Sequence, residues 1–153
     1  MSVTAFELPN LTEIAPVASA DLVVTFRNVH SWYGRNGGDE GVRAAFRTFH
    51  EVLKPGGTLG VVEHRLPAGR PVSAQDESGY MLQAEVIRLA EEAGFTLSGI
   101  SNINANPRDT ADHPEGVWTL PPSLRLGDKD RARYEAIGES DRMTLKFVKP
   151  VND

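Results

Sequence analysis

The sequence has no cysteine, which excludes disulfides, thiolate metal sites and cysteine nucleophiles together, while leaving the compartment open. It has no apolar run near the roughly 18 residues of a membrane span, so no membrane partner is expected. It lacks an excess of basic residues: 16 Lys and Arg stand against 21 Asp and Glu, a net charge of −5, which argues against a nucleic-acid partner. "MSVTAFELPN" lacks the basic and continuous apolar regions of a signal peptide. A cytoplasmic protein is expected if Met1 is the natural start, and a periplasmic one remains open if a segment lies upstream. At 153 residues the chain suits one domain able to bury roughly two-thirds of its extended surface.

What is present is an alternation of apolar runs and amphipathic stretches. "DLVVTFR", residues 21–27, is β-branched and aromatic with little alternation, the pattern of an interior strand buried on both faces. A Gly-rich turn, "GRNGG", leads to a helix whose stripe is Val42, Ala45, Phe46, Phe49, Val52 and Leu53, with Asp39 as its cap and "KPGG" as its stop. "TLGVVEH" is a second strand, and strand, helix, strand implies a right-handed crossover between parallel strands. "SGYMLQAEVIRLAEEAGF" is a second helix, striped by Leu82, Val86, Leu89, Ala90 and Ala93 and closed by Gly94. "FTLSGIS" is a weaker third strand. Residues 102–141 form a long polar, turn-rich segment with a short helix expected from Asp128 to Ile137. The final "RMTLKFVKP" alternates, as an antiparallel strand near a sheet edge does.

In open parallel sheets, ligands bind outside the carboxyl ends of the strands. The first strand end carries Arg27, Asn28, His30 and Trp32, and the second Glu63, His64 and Arg65. As sheet neighbours, the two ends would share a rim. His30 or His64 can serve as a general base near neutral pH. Asn28 can orient a polar ligand, and Trp32 can stack on a flat group or face a cation. The structural alternative is that His30 and Trp32 pack a helix start while Glu63 pairs with an arginine. "NINAN" offers Asn104 and Asn106 either to a polar ligand or to the loop that follows. Trp118, within "PEGVWTLPPSLR", can belong to a lid over the rim or to a hydrophobic plug. His50 reads as structural. His30, Glu63, His64 and His113 are acceptable zinc or iron ligands, but no H-E-x-x-H or H-x-H spacing occurs, and neighbours Glu63 and His64 point to opposite strand faces. No metal is expected.

"FhevLKPGGtLgvvEH", "iRLAEEAGFtL", "FRNVHSW", "NINANPRDT", "GVWTLPPSLRLGDKDRARY" and "IGESDRMTLKFVKP" together resemble the C-terminal part of class I S-adenosylmethionine-dependent methyltransferases, most narrowly a bacterial family of predicted methyltransferases. The resemblance covers the chain from Asp21 onward. It implies an α/β, partial Rossmann-like fold: a mostly parallel sheet with an antiparallel last strand, helices on both faces, residues 1–153 as a single domain, whole or truncated, and 102–141 as a lid within it.

It also implies S-adenosylmethionine as cofactor and a small-molecule substrate. His30 and His64 would be catalytic. Arg27, Asn28 and Glu7 would contact the cofactor, Glu7 lying at the end of a third strand read in "VTAFELP". Trp32, Glu63, Arg65, Asn104, Asn106 and Trp118 would contact substrate. The family's first strand with its Gly-rich turn does not precede Asp21, and "GRNGG" does not replace it, because it follows the strand at 21–27. That strand would then have an open edge, so a homo-oligomer, cover by the N-terminal segment, or a longer natural protein is expected at Leu22–Phe26. The alternatives are a non-catalytic relic of the fold acting as a binding module and, further off, a metal-dependent hydrolase.

Overall fold

A computed structural model describes residues 3–10, 12–35 and 37–151. β1 (Ala20–Phe26) runs into α1 (Val29–Arg35) and α2 (Asp39–Val52), and the chain returns as β2 (Leu53–Leu66), paired in parallel with β1. A two-residue β3 (Met81–Leu82) extends from the end of β2, followed by α3 (Gln83–Glu92), β4 (Thr96–Ser101), α4 (Arg131–Ile137) and β5 (Arg142–Val148). The sheet order is β1-β2-β5-β4, with β3 beside β2. β5 is antiparallel to both neighbours, so the other strands point one way and only the last is reversed. The α/β class, the crossover and the reversed final strand are as the sequence predicts.

The core lies on one face of this sheet. Val42, Ala45, Phe46 and Phe49 of α2 and Val86, Leu89 and Ala90 of α3 bury themselves against Leu59 and Val61 of β2 and Met143, Leu145 and Phe147 of β5. The helical parts of both predicted stripes face inward, as their 3.6-residue period requires, while Leu53 and Leu82, read as stripe members, lie in β2 and β3. Solvated ion pairs, Arg43 with Glu92 and Arg88 with Asp39 (2.7 Å each), bridge α2 and α3. Asp39 is thus an ion-pair partner rather than the cap; Gly38 holds that place without a side-chain bond. At the other end of α2, Lys149 donates its Nζ to the carbonyls of His50 and Leu53 (2.7 and 2.9 Å), meeting the negative end of the helix dipole. His50 packs edge-on against Phe95, and burial pushes its pKa down.

Several expectations need correction. β1 is an edge strand with one open face: Val23 and Thr25 turn to the core, while Leu22, Val24 and Phe26 are 59%, 52% and 57% exposed. α2 and α3 pack on the core face, with α1 against α2, while the outer face of β1 is open at these residues. The described residues of the N-terminal segment do not cover them either. Phe6 packs on the core side, against Trp32 and Phe49. "VTAFELP" forms only an isolated bridge at Glu7, not a third strand. β5, by contrast, is as read: it lies one strand in from the edge strand β4, and its alternation reflects one-sided cover. α3 begins at Gln83, five residues later than Ser78, because Met81 and Leu82 pair with Arg65 and Leu66.

"KPGG" follows the end of α2 at Val52, as read, and forms a bulge inside β2, which already begins at Leu53. Ala20 pairs with Leu53 and Leu22 with Thr58, so two steps along β1 span five along β2. Gly57 suits it, since a Cβ there would lie 2.8 Å from the Lys54 carbonyl oxygen.

Candidate active site

The parallel pairing of β1 and β2 places their carboxyl ends together: Phe26 stands opposite Val62, and the Arg27 N–H donates to the Val62 carbonyl at 2.8 Å. The next residues on each strand build the site. Val29 is fully buried and anchors the start of α1, which turns His30 back toward β2. There Glu63 has no solvent exposure, and its carboxylate accepts the His30 N–H (3.2 Å), the His30 Nδ1–H (2.9 Å) and the His64 N–H (2.8 Å). Because an ionised carboxylate only accepts, the bond is donated from His30 Nδ1, which in the neutral ring leaves Nε2 as the acceptor.

His64 is hydrogen-bonded through Nδ1 to the Ser140 hydroxyl at 2.5 Å, and its ring lies 5.3 Å from that of His30. Burial lowers the His64 pKa to about 4; Glu63 opposes this, while His30, Arg27 and Arg142 reinforce it. His64 is therefore neutral at pH 7. The two histidines open onto a cavity of about 320 Å³, whose wall includes Arg27, Asn28, Trp118 and Arg142.

Trp118 is held here by a close approach of two loops. The Val117 N–H donates to the Ser78 carbonyl at 2.9 Å. A Cβ on Gly116 would fall 2.2 Å from that carbonyl oxygen, and one on Gly79 would fall 2.6 Å from Val117, so only glycines permit this crossing. The Trp118 ring ends 6.0 Å from His30, with the Arg125 guanidinium 4.7 Å from its centroid.

Thus Arg27, Asn28, His30, His64 and Trp118 line one cavity, with Glu63 behind it. Other predicted site residues lie elsewhere. Trp32 sits edge-on to Phe49 (5.5 Å) and Phe6 (5.8 Å) in the core, because the helical period that turns His30 to the rim turns Trp32 inward. Arg65 donates both Nε and Nη2 to Asp141 (2.8 and 2.9 Å). Asn104 donates to Thr144 (2.8 Å), and Asn106 to the carbonyls of Ile137 and Glu139 (2.9 and 2.6 Å). These side chains fasten the 102–141 segment. Glu7 is exposed and outside the cavity.

Sequence reasoning did not single out Arg142 or Ser140. Nor did it find Asp109, a buried hub that accepts from the Tyr80 hydroxyl (3.1 and 3.0 Å), the Ala111 and Asp141 N–H groups (2.9 and 2.8 Å) and His113 Nε2 (2.8 Å). Burial and Asp109 push the Tyr80 pKa up. His113 is held by this hub. The ligating atoms of His30, Glu63 and His64 do fall within 4.8 Å of one another, so consecutive residues Glu63 and His64 converge at the strand end despite leaving opposite faces.

No protein-family model matches the chain. Among solved structures, it superposes on the cyclase SpnF with a TM-score of 0.60 and 23% identity, covering 95% of this chain and 54% of that one. A SAM-dependent methyltransferase from Methanosarcina mazei gives 0.55 at 12% identity, covering 90% and 62%. The 1,6-didemethyltoxoflavin-N1-methyltransferase of Burkholderia thailandensis, with bound 1,6-didemethyltoxoflavin and S-adenosylhomocysteine, gives 0.53 at 12%, covering 92% and 48%. The chain has a class I methyltransferase-like fold. It spans about half the length of these methyltransferase-like structures.

The residues present fit one end of S-adenosylmethionine. Arg27 and Asn28, both exposed, line the cavity with donors of the kind its carboxylate accepts. Among the described residues lining the cavity Glu139 is the one acid, and Arg142 engages it, so none of their carboxylates is free for the ribose hydroxyls.

Proposed function

We propose that the protein is an S-adenosylmethionine-dependent methyltransferase acting on a small molecule. The observation that carries this is the His30–Glu63 pair, opening on a cavity at the carboxyl ends of two adjacent parallel strands. S-adenosylmethionine, when bound, supplies a methyl group on a sulfonium. Arg27 and Asn28 hold its amino-acid end. His30, fixed through Nδ1, takes the proton that the acceptor's oxygen or nitrogen releases, on Nε2. Glu63 orients the ring and stabilises the imidazolium that forms. Trp118 and the 102–141 segment cover the acceptor and exclude water. The exposed row Leu22, Val24 and Phe26 is covered by a second copy of the chain.

Calorimetric titration of the 153-residue chain with S-adenosylmethionine and S-adenosylhomocysteine tests this. Saturable binding of both is expected, and no heat from either would overturn it. Binding without transfer to any acceptor would favour the non-catalytic alternative; fold alone does not fix methyl transfer, since one structure of this fold is named as a cyclase.

The convergence of His30, Glu63 and His64 favours a second function, a divalent-metal centre. Arg27 and Arg142 beside it disfavour a further cation. Stoichiometric zinc or iron by elemental analysis would support the metal centre, and a metal-free protein of unchanged stability and cofactor affinity would remove it.

A further inference from the structure

Arg142 opens β5 directly opposite His64 in the β2–β5 pairing and lines the same cavity. Its Nη2 contacts Glu139, but its Nε is shielded from solvent and has no hydrogen-bond partner among the described residues. The unpartnered Nε leaves part of the guanidinium charge without a hydrogen-bonded counter-group, and an anion would meet it through the accessible fifth of the side chain. The surroundings favour an anion. Arg27 forms no ion pair among the described residues, and Glu139 is the cavity's one acid. Glu63, behind it, is filled by three N–H donors. Two guanidinium groups and one carboxylate thus line the space, with the Glu63 carboxylate buried behind it. Phe26, Val117, Pro121 and Trp118 supply an apolar wall to the same space.

We infer that the methyl acceptor is a small amphiphilic anion, its carboxylate or phosphate seated at Arg142 and its apolar or aromatic body against Trp118. This rests on the proposed methyltransferase function. The cofactor's carboxylate is a second source of the same chemistry, and Arg142 rather than Arg27 is assigned to the acceptor. A cavity of about 320 Å³ suits a ligand of this kind.

The test titrates the full chain with benzoate, phenyl phosphate and the neutral isostere benzamide, with and without saturating S-adenosylhomocysteine, and follows the two tryptophan indole N–H resonances by NMR. Binding of the two anions should move the Trp118 resonance, leave that of core Trp32 in place, and persist with S-adenosylhomocysteine present. Benzamide should bind about tenfold more weakly, as loss of a charged hydrogen-bond partner implies. Arg142→Gln should weaken benzoate by about tenfold or more while leaving S-adenosylhomocysteine affinity within about twofold. Glu139→Gln, which removes the competing carboxylate, should tighten benzoate, and Arg142→Lys, which keeps the charge, should melt close to the parent protein while still binding benzoate more weakly. Equal binding of benzoate and benzamide, an Arg142→Gln variant that binds benzoate like the parent, or outright competition by S-adenosylhomocysteine would overturn the assignment. Anion discrimination without any S-adenosylhomocysteine binding would keep the anion site and remove the methyltransferase function.

Discussion

Glu63 holds His30 twice, accepting its backbone N–H at 3.2 Å and its ring Nδ1–H at 2.9 Å from a fully buried position. One carboxylate thus fixes both where α1 begins and which ring nitrogen is free. Glu63→Ala would leave three buried donors unpaired and should cost about 2–4 kcal/mol, read by urea denaturation. Glu63→Gln keeps the shape and should cost less, but its amide must present N–H to one of these donors. If methyl transfer depends on His30, Glu63→Gln should lower kcat with KM nearly unchanged. Loss of stability alone, with full turnover in the folded fraction, would make Glu63 purely structural.

Acid should destabilise the fold through His64. Its folded pKa, about 4, lies below the ordinary 6.5, so the unfolded chain binds the extra proton first as pH falls. The contribution is complete above about pH 6.5 and is lost on descent toward pH 4, by up to about 3 kcal/mol. Denaturation curves between these limits should be less steep in pH for His64→Gln than for the parent protein. An identical slope in both would place the proton uptake elsewhere.

The Asp109 hub should decide whether the 102–141 segment stays docked. Asp109→Ala strands the Tyr80 hydroxyl and two backbone N–H groups in the interior, so a loss of about 2–4 kcal/mol is expected. Hydrogen exchange should rise first across 104–141, including the Trp118 turn, before it rises in α2 and β2. Uniform acceleration throughout the chain would show that this segment has no separate opening.

Self-association should run through β1. Leu22, Val24 and Phe26 form an apolar row on an edge strand, the arrangement that invites another chain. Sedimentation should show a concentration-dependent dimer that Leu22→Lys with Val24→Lys returns to monomer. The same mass for parent and variant at every concentration would exclude this row as the contact.

Much of this was legible because it depends on period. The stripes of α2 and α3 and the alternation Met143, Leu145, Phe147 report burial directly. The shared rim followed from a crossover between two apolar runs. α1 was not legible, since "VHSWYGR" mixes β-branched, aromatic and Gly residues, poor helix formers whose placement is set by Val29 in the core and Glu63 at the rim. Trp32 was misplaced for that reason. Arg65, Asn104 and Asn106 look like ligand donors until the loop that uses them is folded. Arg142 stayed hidden because an antiparallel register, here His64 opposite Arg142, joins residues 78 apart in sequence with no local sign.

The bulge at 54–57 works as an expansion joint. Upstream of it α2 is moored by Lys149, and downstream the run from Thr58 to Val62 is in step with β1, so slack in the chain is taken up between them. A residue inserted among Lys54–Gly57 would be absorbed there. The same insertion between Leu59 and Glu63 would exchange the two faces of the strand, sending the Glu63 side chain to the open side and leaving His30 without its anchor. Alignment of the two histidines is thus insulated from length changes only a few residues away.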